Sequence, residues 1–223
     1  MNIFDIIGPV MVGPSSSHTA GAVKIGRAAR RLLDEPVARA EILLYGSFLA
    51  TGHGHGTDCA LVAGLLGMGP EDERIPRSLA LAAEAGMEVS FGEADLRDAH
   101  PNSALLRLTG RSGRTMEVEG VSLGGSLIEI RSIDGAEVSF SGESPTLIVY
   151  NEDKPGLISV ITSLLAHSGV NIATMRVTRA RRGGTAATVI ECDQALPDGG
   201  ARLLAGLRGV TKVLYYDPKE DAV

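Results

Sequence analysis

The segment TLIVYNEDKPGLISVITSLLAHSG, residues 146–169, contains the signals of a strand, a turn and a helix in succession. Thr146 to Tyr150 is rich in β-branched and aromatic residues, which favour a strand. Pro155 is typical of the first position of a helix, and Gly169 is typical of a residue just after a helix. The apolar residues between them recur at the spacing of one helical face. These residues are Leu157, Ile158, Ile161, Leu164 and Leu165.

The chain downstream continues this alternation of strands and helices. Two β-rich runs, Ile172 to Arg179 and Thr185 to Asp193, flank an Arg-Gly-Gly turn at 182–184 that allows the positive φ of a hairpin. A helical pattern from about Pro197 to Leu207 leads into a final strand, Val210 to Tyr216. The order βαββαβ predicts a ferredoxin-like fold, in which two helices pack on one face of a four-stranded antiparallel sheet.

The segment upstream predicts a separate domain of mixed α/β (α+β) class. Turn-forming residues between Gly142 and Pro145 separate two β-rich runs, so we expect two domains, residues 1–143 and residues 144–223. Helical and strand patterns alternate at first, and strands dominate from Ala104 onward. The predicted helices are 17–34, 57–66 and 78–85, the early strands are 41–45 and 88–91, and the later turns fall at 110–113, 124–125 and 134–135.

Composition excludes several classes of protein. The 223 residues carry a net charge of −6 and a pI near 5.4, which argues against a nucleic-acid partner, because such a surface needs clustered Lys and Arg. No apolar run approaches the roughly 18 residues of a membrane span, and no secretory signal pattern is present. The two cysteines, Cys59 and Cys192, lie far apart in the sequence, so we expect a protein of the reduced cytoplasm.

A first polar cluster, VGPSSSHTAGAVKIG at residues 12–26, crowds hydroxyls and an imidazole onto the start of a predicted helix. One serine would cap the free backbone N–H groups and stabilise the helix by about 1 kcal/mol. Three serines followed by His18 and Thr19 exceed that need, and the helix dipole there attracts an anion such as a carboxylate or phosphate. The pattern leaves an ordinary cap and an anion site as alternatives.

A second polar cluster, TGHGHGTD at residues 51–58, contains three glycines that let the backbone approach a ligand. His53 and His55 would point the same way if the segment is extended. The spacing is not that of a dinucleotide fingerprint or a P-loop. The alternatives are a zinc or iron site and a glycine loop with two solvated histidines.

A third stretch, DAHPNSA at residues 98–104, adds His100 and Asn102 before a predicted strand, where a capped turn is the simpler explanation. If the first two clusters converge on one pocket, their histidines would serve as acid, base or orienting donors near neutral pH.

Three motifs together resemble a known family. IGPVMVGPSSSHTAGAVKIG (7–26), GHGHGTDCALVAG (52–64) and HPNS (100–103) resemble the β chain, or β domain, of the bacterial iron–sulfur L-serine dehydratases. VYNEDKPGLISVITSLLAHSGVNIATM (149–175) is similar to an ACT domain, a regulatory module that commonly binds amino acids. The resemblance covers nearly the whole chain. The first set of motifs is specific, whereas the ACT signature is shared by many regulated enzymes.

The resemblance implies a lyase that converts L-serine to pyruvate and ammonia with a [4Fe–4S] cluster instead of pyridoxal phosphate. Such a cluster needs three or four thiolates, and this chain has two distant cysteines. We therefore expect a β subunit that ligates no metal, beside a separate α chain that holds the cluster. The catalytic residues implied are His18, His53 and His55, with the general base left open. The substrate-binding residues implied are Ser16, Ser17, Thr19, Asp58 and Asn102.

The ACT resemblance implies an amino-acid ligand between the 151–156 turn and a neighbouring subunit, and therefore a homodimer through this domain. Asp153 would bind the ligand ammonium group. The matching positions are Asn151, Asp153, Gly156 and Asn171. A domain that serves only dimerisation is the alternative.

Two other functions stay open on the sequence alone. A non-catalytic amino-acid-sensing regulatory subunit needs the ACT domain but does not need residues 16–19, the Ser-Ser-His-Thr cluster, to be intact. A metal hydrolase would bring His18, His53, His55 and Asp58 to one metal ion. The lyase requires the Ser-Ser-His-Thr cluster, and a neighbouring coding region for a cysteine-bearing α chain would be the most useful single observation.

Overall fold

A computed structural model describes residues 11–219, so residues 7–10 of the first family motif lie outside the described part. The chain divides into two compact units between Gly135 and Ala136. The domain boundary that we expect between residues 143 and 144 stays a prediction. Within residues 11–219, no helix is both long and apolar enough to cross a membrane.

The first unit begins with a π-helical turn, Ser16–Gly21, that continues directly into helix α1, Ala22–Leu33. The mixed α/β class predicted for this part of the chain is confirmed. Its further elements, in chain order, are β1 Val37–Leu44, α2 Gly46–His55, α3 Thr57–Leu65, a 3₁₀ turn Ile75–Arg77, α4 Ser78–Glu84, β2 Glu88–Glu93, β3 Ser103–Gly110, β4 Thr115–Gly124 and β5 Leu127–Ile133.

The strands of the first unit are hydrogen-bonded in the order β2-β1-β3-β4-β5. β1 runs parallel to β2, and the remaining neighbours are antiparallel. A parallel pair needs a long crossover connection, which α2, α3 and α4 supply here. Helix α1 packs on β4, since a Cβ added to Gly120 would lie 2.5 Å from Ile25. This packing brings the π-helical turn to the end of β4.

The second unit contains the predicted ferredoxin-like fold. Its four central strands form an antiparallel sheet in the order β10-β7-β9-β8, which is the arrangement expected of a βαββαβ chain. The elements are β6 Ala136–Phe140, β7 Thr146–Glu152, α5 Leu157–His167, β8 Ile172–Arg179, β9 Thr185–Cys192, α6 Gly200–Ala205 and β10 Val210–Tyr216. The buried core residues are Leu147, Val149, Ile161, Leu165, Val170, Ile190, Cys192 and Leu204.

Two local predictions are wrong. Residues 51–55 are not extended, because they complete α2, which ends at Gly56 with a φ of 71°. His53 and His55 therefore lie on different faces of a helix. Pro155 does not open α5 either: the helix begins at Leu157 after Gly156, whose φ of 93° breaks the regular helical path.

Candidate functional site

The π-helical turn presents the Ser-Ser-His-Thr cluster at the start of a long helical segment. Ser15 lies before it in an extended conformation, and its hydroxyl oxygen accepts a hydrogen bond from the backbone N–H of His18 at 3.3 Å. This is the N-cap role that the sequence predicts for a serine here. Ser16 and Ser17 are partly buried, whereas Thr19 is buried. In this π-helical turn the His18 side chain therefore points away from the core, while Thr19 packs inward.

The His18 imidazole is held by hydroxyl groups on both sides. Its Nε2 lies 3.1 Å from the Thr51 hydroxyl oxygen and 3.3 Å from the Ser47 hydroxyl oxygen. Its Nδ1 lies 3.4 Å from the Ser15 hydroxyl oxygen. The Phe48 ring meets the imidazole at a centroid distance of 5.2 Å and an angle of 64°, and the His55 ring lies 5.1 Å away. These contacts fix both the position and the plane of the ring.

Helix α2 supplies these partners because Ser47, Thr51 and His55 are spaced four residues apart and share one face. The start of this helix is anchored from outside. The backbone N–H groups of Ser47 and Phe48 both donate to the Pro101 carbonyl, at 2.7 Å and 3.2 Å. The HPNS stretch thus sets the place of α2, and through it the surroundings of His18.

Electrostatics favour a neutral His18. Partial burial lowers the pKa of His18 below its ordinary value of 6.5, and the neighbouring His55 lowers it further. The Ser47 backbone carbonyl opposes the change by hydrogen-bonding the ring. A neutral imidazole at pH 7 can accept a proton, which is what a general base requires.

Asn102 lies beside this cluster, on the loop that anchors α2. Its backbone N–H donates to His100 Nδ1 at 3.2 Å, and its side-chain amide donates to the Ser122 carbonyl at 3.4 Å. The end of β4 lies near the Ser-Ser-His-Thr cluster as well, because a Cβ added to Gly124 would lie 3.7 Å from the Ser17 hydroxyl oxygen. Within residues 11–219, the buried hydroxyls without a hydrogen-bond partner are those of Thr19, Thr57, Ser122 and Ser126.

His53 and Asp58 form a separate pair. His53 Nδ1 lies 2.9 Å from an Asp58 carboxylate oxygen, and the His53 side chain is 97% exposed while that of Asp58 is 14% exposed. The other Asp58 oxygen accepts the Cys59 N–H at 2.8 Å. The pair therefore connects the end of α2 to the first turn of α3.

The structure thus brings together only part of the predicted site. His18 and His55 meet, with Asn102 on the adjoining loop, whereas His53 and Asp58 pair elsewhere. Ser15, Ser47 and Thr51 contact the ring and are missed by the sequence reasoning, although the four-residue spacing from Ser47 to His55 is a helical signal. Among residues 11–219, no three His, Cys, Asp or Glu side chains come together to hold a metal ion. The four ligands of the metal-hydrolase alternative do not converge.

The four predicted ACT ligand residues lie at two ends of their sheet. Asn151 is buried, and its side-chain amide oxygen accepts a hydrogen bond from the Thr188 hydroxyl at 3.1 Å. The Asp153 carboxylate accepts hydrogen bonds from the Gly183 N–H at 2.9 Å and from the Arg179 guanidinium at 2.7 Å, which together lower the pKa of Asp153. Asn171 lies just before β8. The register across β9 places the start of β8 at the same end of the sheet as the start of β7, whereas the 151–156 turn follows the other end of β7. Asn171 is therefore remote from the turn within one chain.

A cavity of about 460 Å³ lies at that turn, where α5 begins. Gly156 and Leu157 contribute the start of the helix to its wall, and charged side chains line it as well. Two of these, Glu152 and Lys154, form an ion pair at 2.6 Å. The remaining lining residues are Pro155, Val160, Arg208 and Gly209.

Comparisons with known proteins define the class of each unit and then the family of the chain. Residues 145–209 match the ACT domain family, and residues 2–89 match the serine dehydratase beta chain family. A probable L-serine dehydratase beta chain of Bacillus subtilis is 42% identical over 197 residues, which are 88% of this chain and 89% of that protein. The L-serine dehydratase beta chain of Peptoniphilus asaccharolyticus is 37% identical over 215 residues, 96% of this chain and 97% of that protein. The chain belongs to the L-serine dehydratase beta chain family.

A longer relative matches only part of this chain. The L-serine dehydratase of Streptomyces coelicolor is 37% identical over 120 residues, which are 47% of this chain but only 26% of that protein. Most of that enzyme therefore lies outside the region that matches this chain.

Proposed function

We propose that this chain is the β subunit of an L-serine ammonia-lyase, which converts L-serine to pyruvate and ammonia. The observation that carries the proposal is the His18 imidazole, which is held between Ser15, Ser47 and Thr51 at the start of a helix and kept neutral by burial. The family match over nearly the whole chain supports the same function.

The proposed reaction needs a base that accepts the α-proton of L-serine and donors that hold its carboxylate. A neutral His18 suits the first task. The second task suits the start of the π-helical segment, where Ser16 and Ser17 bring hydroxyl and N–H groups together at the positive end of the helix dipole. His55 stays in the proposal as an acid–base partner because its ring lies 5.1 Å from that of His18.

A [4Fe–4S] cluster does not fit the residues of this chain. Three or four thiolates are needed, and the sequence has only Cys59 and Cys192, one in each unit. We assign the cluster to a separate α chain. The longer Streptomyces coelicolor enzyme supports this division, because about three quarters of it lie outside the matching region.

A homodimer through the ACT domain is part of the same proposal. β8 is the edge strand of its sheet, and Met175 and Val177 on this strand are 43% and 45% exposed. Exposed apolar side chains on an unpaired edge favour pairing with a second copy. Both cysteines are free thiols, which agrees with a reduced cytoplasmic setting.

A non-catalytic amino-acid sensor is the alternative function, and the cavity beside Gly156 favours it. The free N–H groups at the start of α5 suit a ligand carboxylate there. A ligand ammonium group would have to displace Arg179 from Asp153, since that carboxylate is already bound. A sensor predicts that changes at His18 leave ligand binding and partner activity intact, whereas the lyase predicts that they abolish activity.

The deciding experiment is reconstitution with the cysteine-bearing dehydratase chain. Pyruvate formation from L-serine is measured for the parent complex, for His18→Ala and for His167→Ala. His167 is a matched control, since it lies in α5 and contacts the Ser163 carbonyl. We expect a loss in kcat/KM of about 10²-fold or more for His18→Ala, the scale of a lost acid–base group, and none for His167→Ala. Equal activity of both variants would overturn the proposal.

A further inference from the structure

Thr51 has a hydrogen-bonding pattern that determines which nitrogen of His18 carries the hydrogen. Its hydroxyl donates to the Ser47 carbonyl oxygen at 2.9 Å, the back-bonding that threonine makes within helices. A hydroxyl group has one hydrogen, so the Thr51 oxygen faces His18 Nε2, 3.1 Å away, as an acceptor. This arrangement favours a neutral ring with its hydrogen on Nε2.

The other side of the ring leads to the same tautomer. The Ser15 hydroxyl oxygen accepts the backbone N–H of His18 at 3.3 Å, which leaves its own hydrogen for Nδ1 at 3.4 Å. Nδ1 is thus an acceptor. Because 3.4 Å is long for a hydrogen bond to a hydroxyl, the Nδ1 lone pair is only weakly occupied.

We propose that Thr51 is a positioning residue, which fixes His18 as the Nε2–H tautomer and so makes Nδ1 the proton-accepting atom. The tautomer is a property of this chain alone, whereas its use in removing a proton from L-serine rests on the proposed function. In this role Thr51 acts through His18 and does not touch the substrate.

Ser47 explains why the Thr51 hydroxyl is decisive. The Ser47 hydroxyl oxygen lies 3.5 Å from that of Thr51 and 3.3 Å from His18 Nε2. While Thr51 is present, its oxygen can accept from both Ser47 and His18. Once that oxygen is removed, the Ser47 hydroxyl is free to donate to Nε2, while the Ser47 carbonyl still favours a hydrogen on the ring. Thr51→Val therefore shifts the ring towards Nδ1–H, whereas Thr51→Ser retains Nε2–H.

The direct test is nitrogen-15 NMR of the full-length chain labelled at histidine, because long-range proton–nitrogen correlations distinguish the two tautomers. We expect Nε2–H for His18 in the parent and in Thr51→Ser, and Nδ1–H or a mixture in Thr51→Val. Thr162→Val is the matched control, since Thr162 donates to the Ile158 carbonyl at 3.0 Å in α5 and has the same kind of helix bond. Nδ1–H in the parent, or an unchanged tautomer in a folded Thr51→Val chain, would overturn the proposal.

The second readout is activity in the complex with the partner chain. We expect kcat/KM to fall about tenfold or more for Thr51→Val, with an altered acid limb in its pH profile, because a wrong tautomer disables a base. Thr51→Ser is expected to stay within about twofold of the parent. Activity of Thr51→Val equal to the parent despite a shifted tautomer would contradict the catalytic use of Nδ1. If the parent complex forms no pyruvate but the NMR result holds, the proposed function fails while the positioning of His18 stands.

Discussion

Gly26 of α1 and Gly64 of α3 face each other where the two helices cross. A Cβ added to Gly26 would lie 3.0 Å from Gly64 Cα, and one added to Gly64 would lie 2.9 Å from Gly26 Cα. Backbone atoms of Val23 and Arg27 lie around the same point. Because α1 follows the π-helical turn and α3 follows α2, this close crossing sets the distance between His18 and its partners on α2.

Gly64→Ala is therefore expected to destabilise the first unit by roughly 1–3 kcal/mol or more, because backbone atoms cannot move aside as a flexible side chain would. Calorimetry of the full-length chain measures the change. Gly54→Ala in α2 is the control: an added Cβ there meets nothing within 4 Å, so a gain of about 0.5–1 kcal/mol in helix stability is expected. If Gly64→Ala and the parent had the same unfolding temperature, the two helices could move apart with no loss of stability, which would contradict this prediction.

The pKa of His18 gives the first unit a specific dependence on pH. The pKa of this group is lower in the folded chain than the ordinary value of 6.5, so below pH 6.5 the unfolded chain binds more protons at this position. Stability is then full above about pH 6.5 and decreases as the pH falls from 6.5 towards the folded pKa. Melting temperatures between pH 8 and pH 5 should fall less steeply for His18→Gln than for the parent. Parallel curves would mean that His18 titrates normally in the folded chain.

The ferredoxin-like unit could be predicted almost completely from the sequence. Its strand 172–179 and its last strand 210–216 have the predicted bounds, since β-branched residues and turn glycines act locally there. The helix around residue 200 is shorter than expected and spans Gly200–Ala205. Local patterns suffice because each element of this unit pairs with a neighbour along a regular sheet.

The surroundings of His18 could be predicted only in part. Helix α2 is missed because Gly52 and Gly54 lower its helix propensity, and its stability comes from packing and from the Pro101 carbonyl at its start. The π-helical turn has no sequence signal, since its backbone hydrogen bonds span only one residue more than those of an α-helix. Both features arise from tertiary contacts, which is why Ser47 and Thr51 escape a local analysis.

His53→Ala is expected to reduce kcat/KM in the complex by no more than about threefold. The reason is that the His53 side chain is 97% exposed, and it contacts Asp58 and not His18. His55→Ala should have the larger effect, because its ring lies 5.1 Å from that of His18. Steady-state kinetics with L-serine compare the two variants. A larger loss for His53→Ala than for His55→Ala would place the catalytic face on the other side of α2.

Asp153 is expected to hold the β8–β9 hairpin against the turn before α5. Its carboxylate accepts the Gly183 N–H and Arg179, which lowers its pKa, so the interaction is present above about pH 3.8 and is lost as the pH falls through the lower folded value. Hydrogen exchange of the Gly183 amide in the full-length chain should accelerate in Asp153→Ala. The exposed Asp198 before α6 provides the control substitution, and equal exchange in both variants would contradict this role.

Iron and sulfide reconstitution of this chain alone is expected to give no stoichiometric cluster. An iron–sulfur cluster needs three or four thiolates, and the sequence supplies two cysteines that lie in separate units. Neither thiol ionises readily. Burial raises the pKa of Cys192 to about 11, and burial together with the nearby Asp58 carboxylate raises the pKa of Cys59. Iron content and the charge-transfer absorbance are measured after anaerobic reconstitution and gel filtration, with the cysteine-bearing partner chain treated in parallel. A cluster retained only by the partner chain supports the assignment of the cluster to that chain. A cluster retained by this chain alone would contradict it.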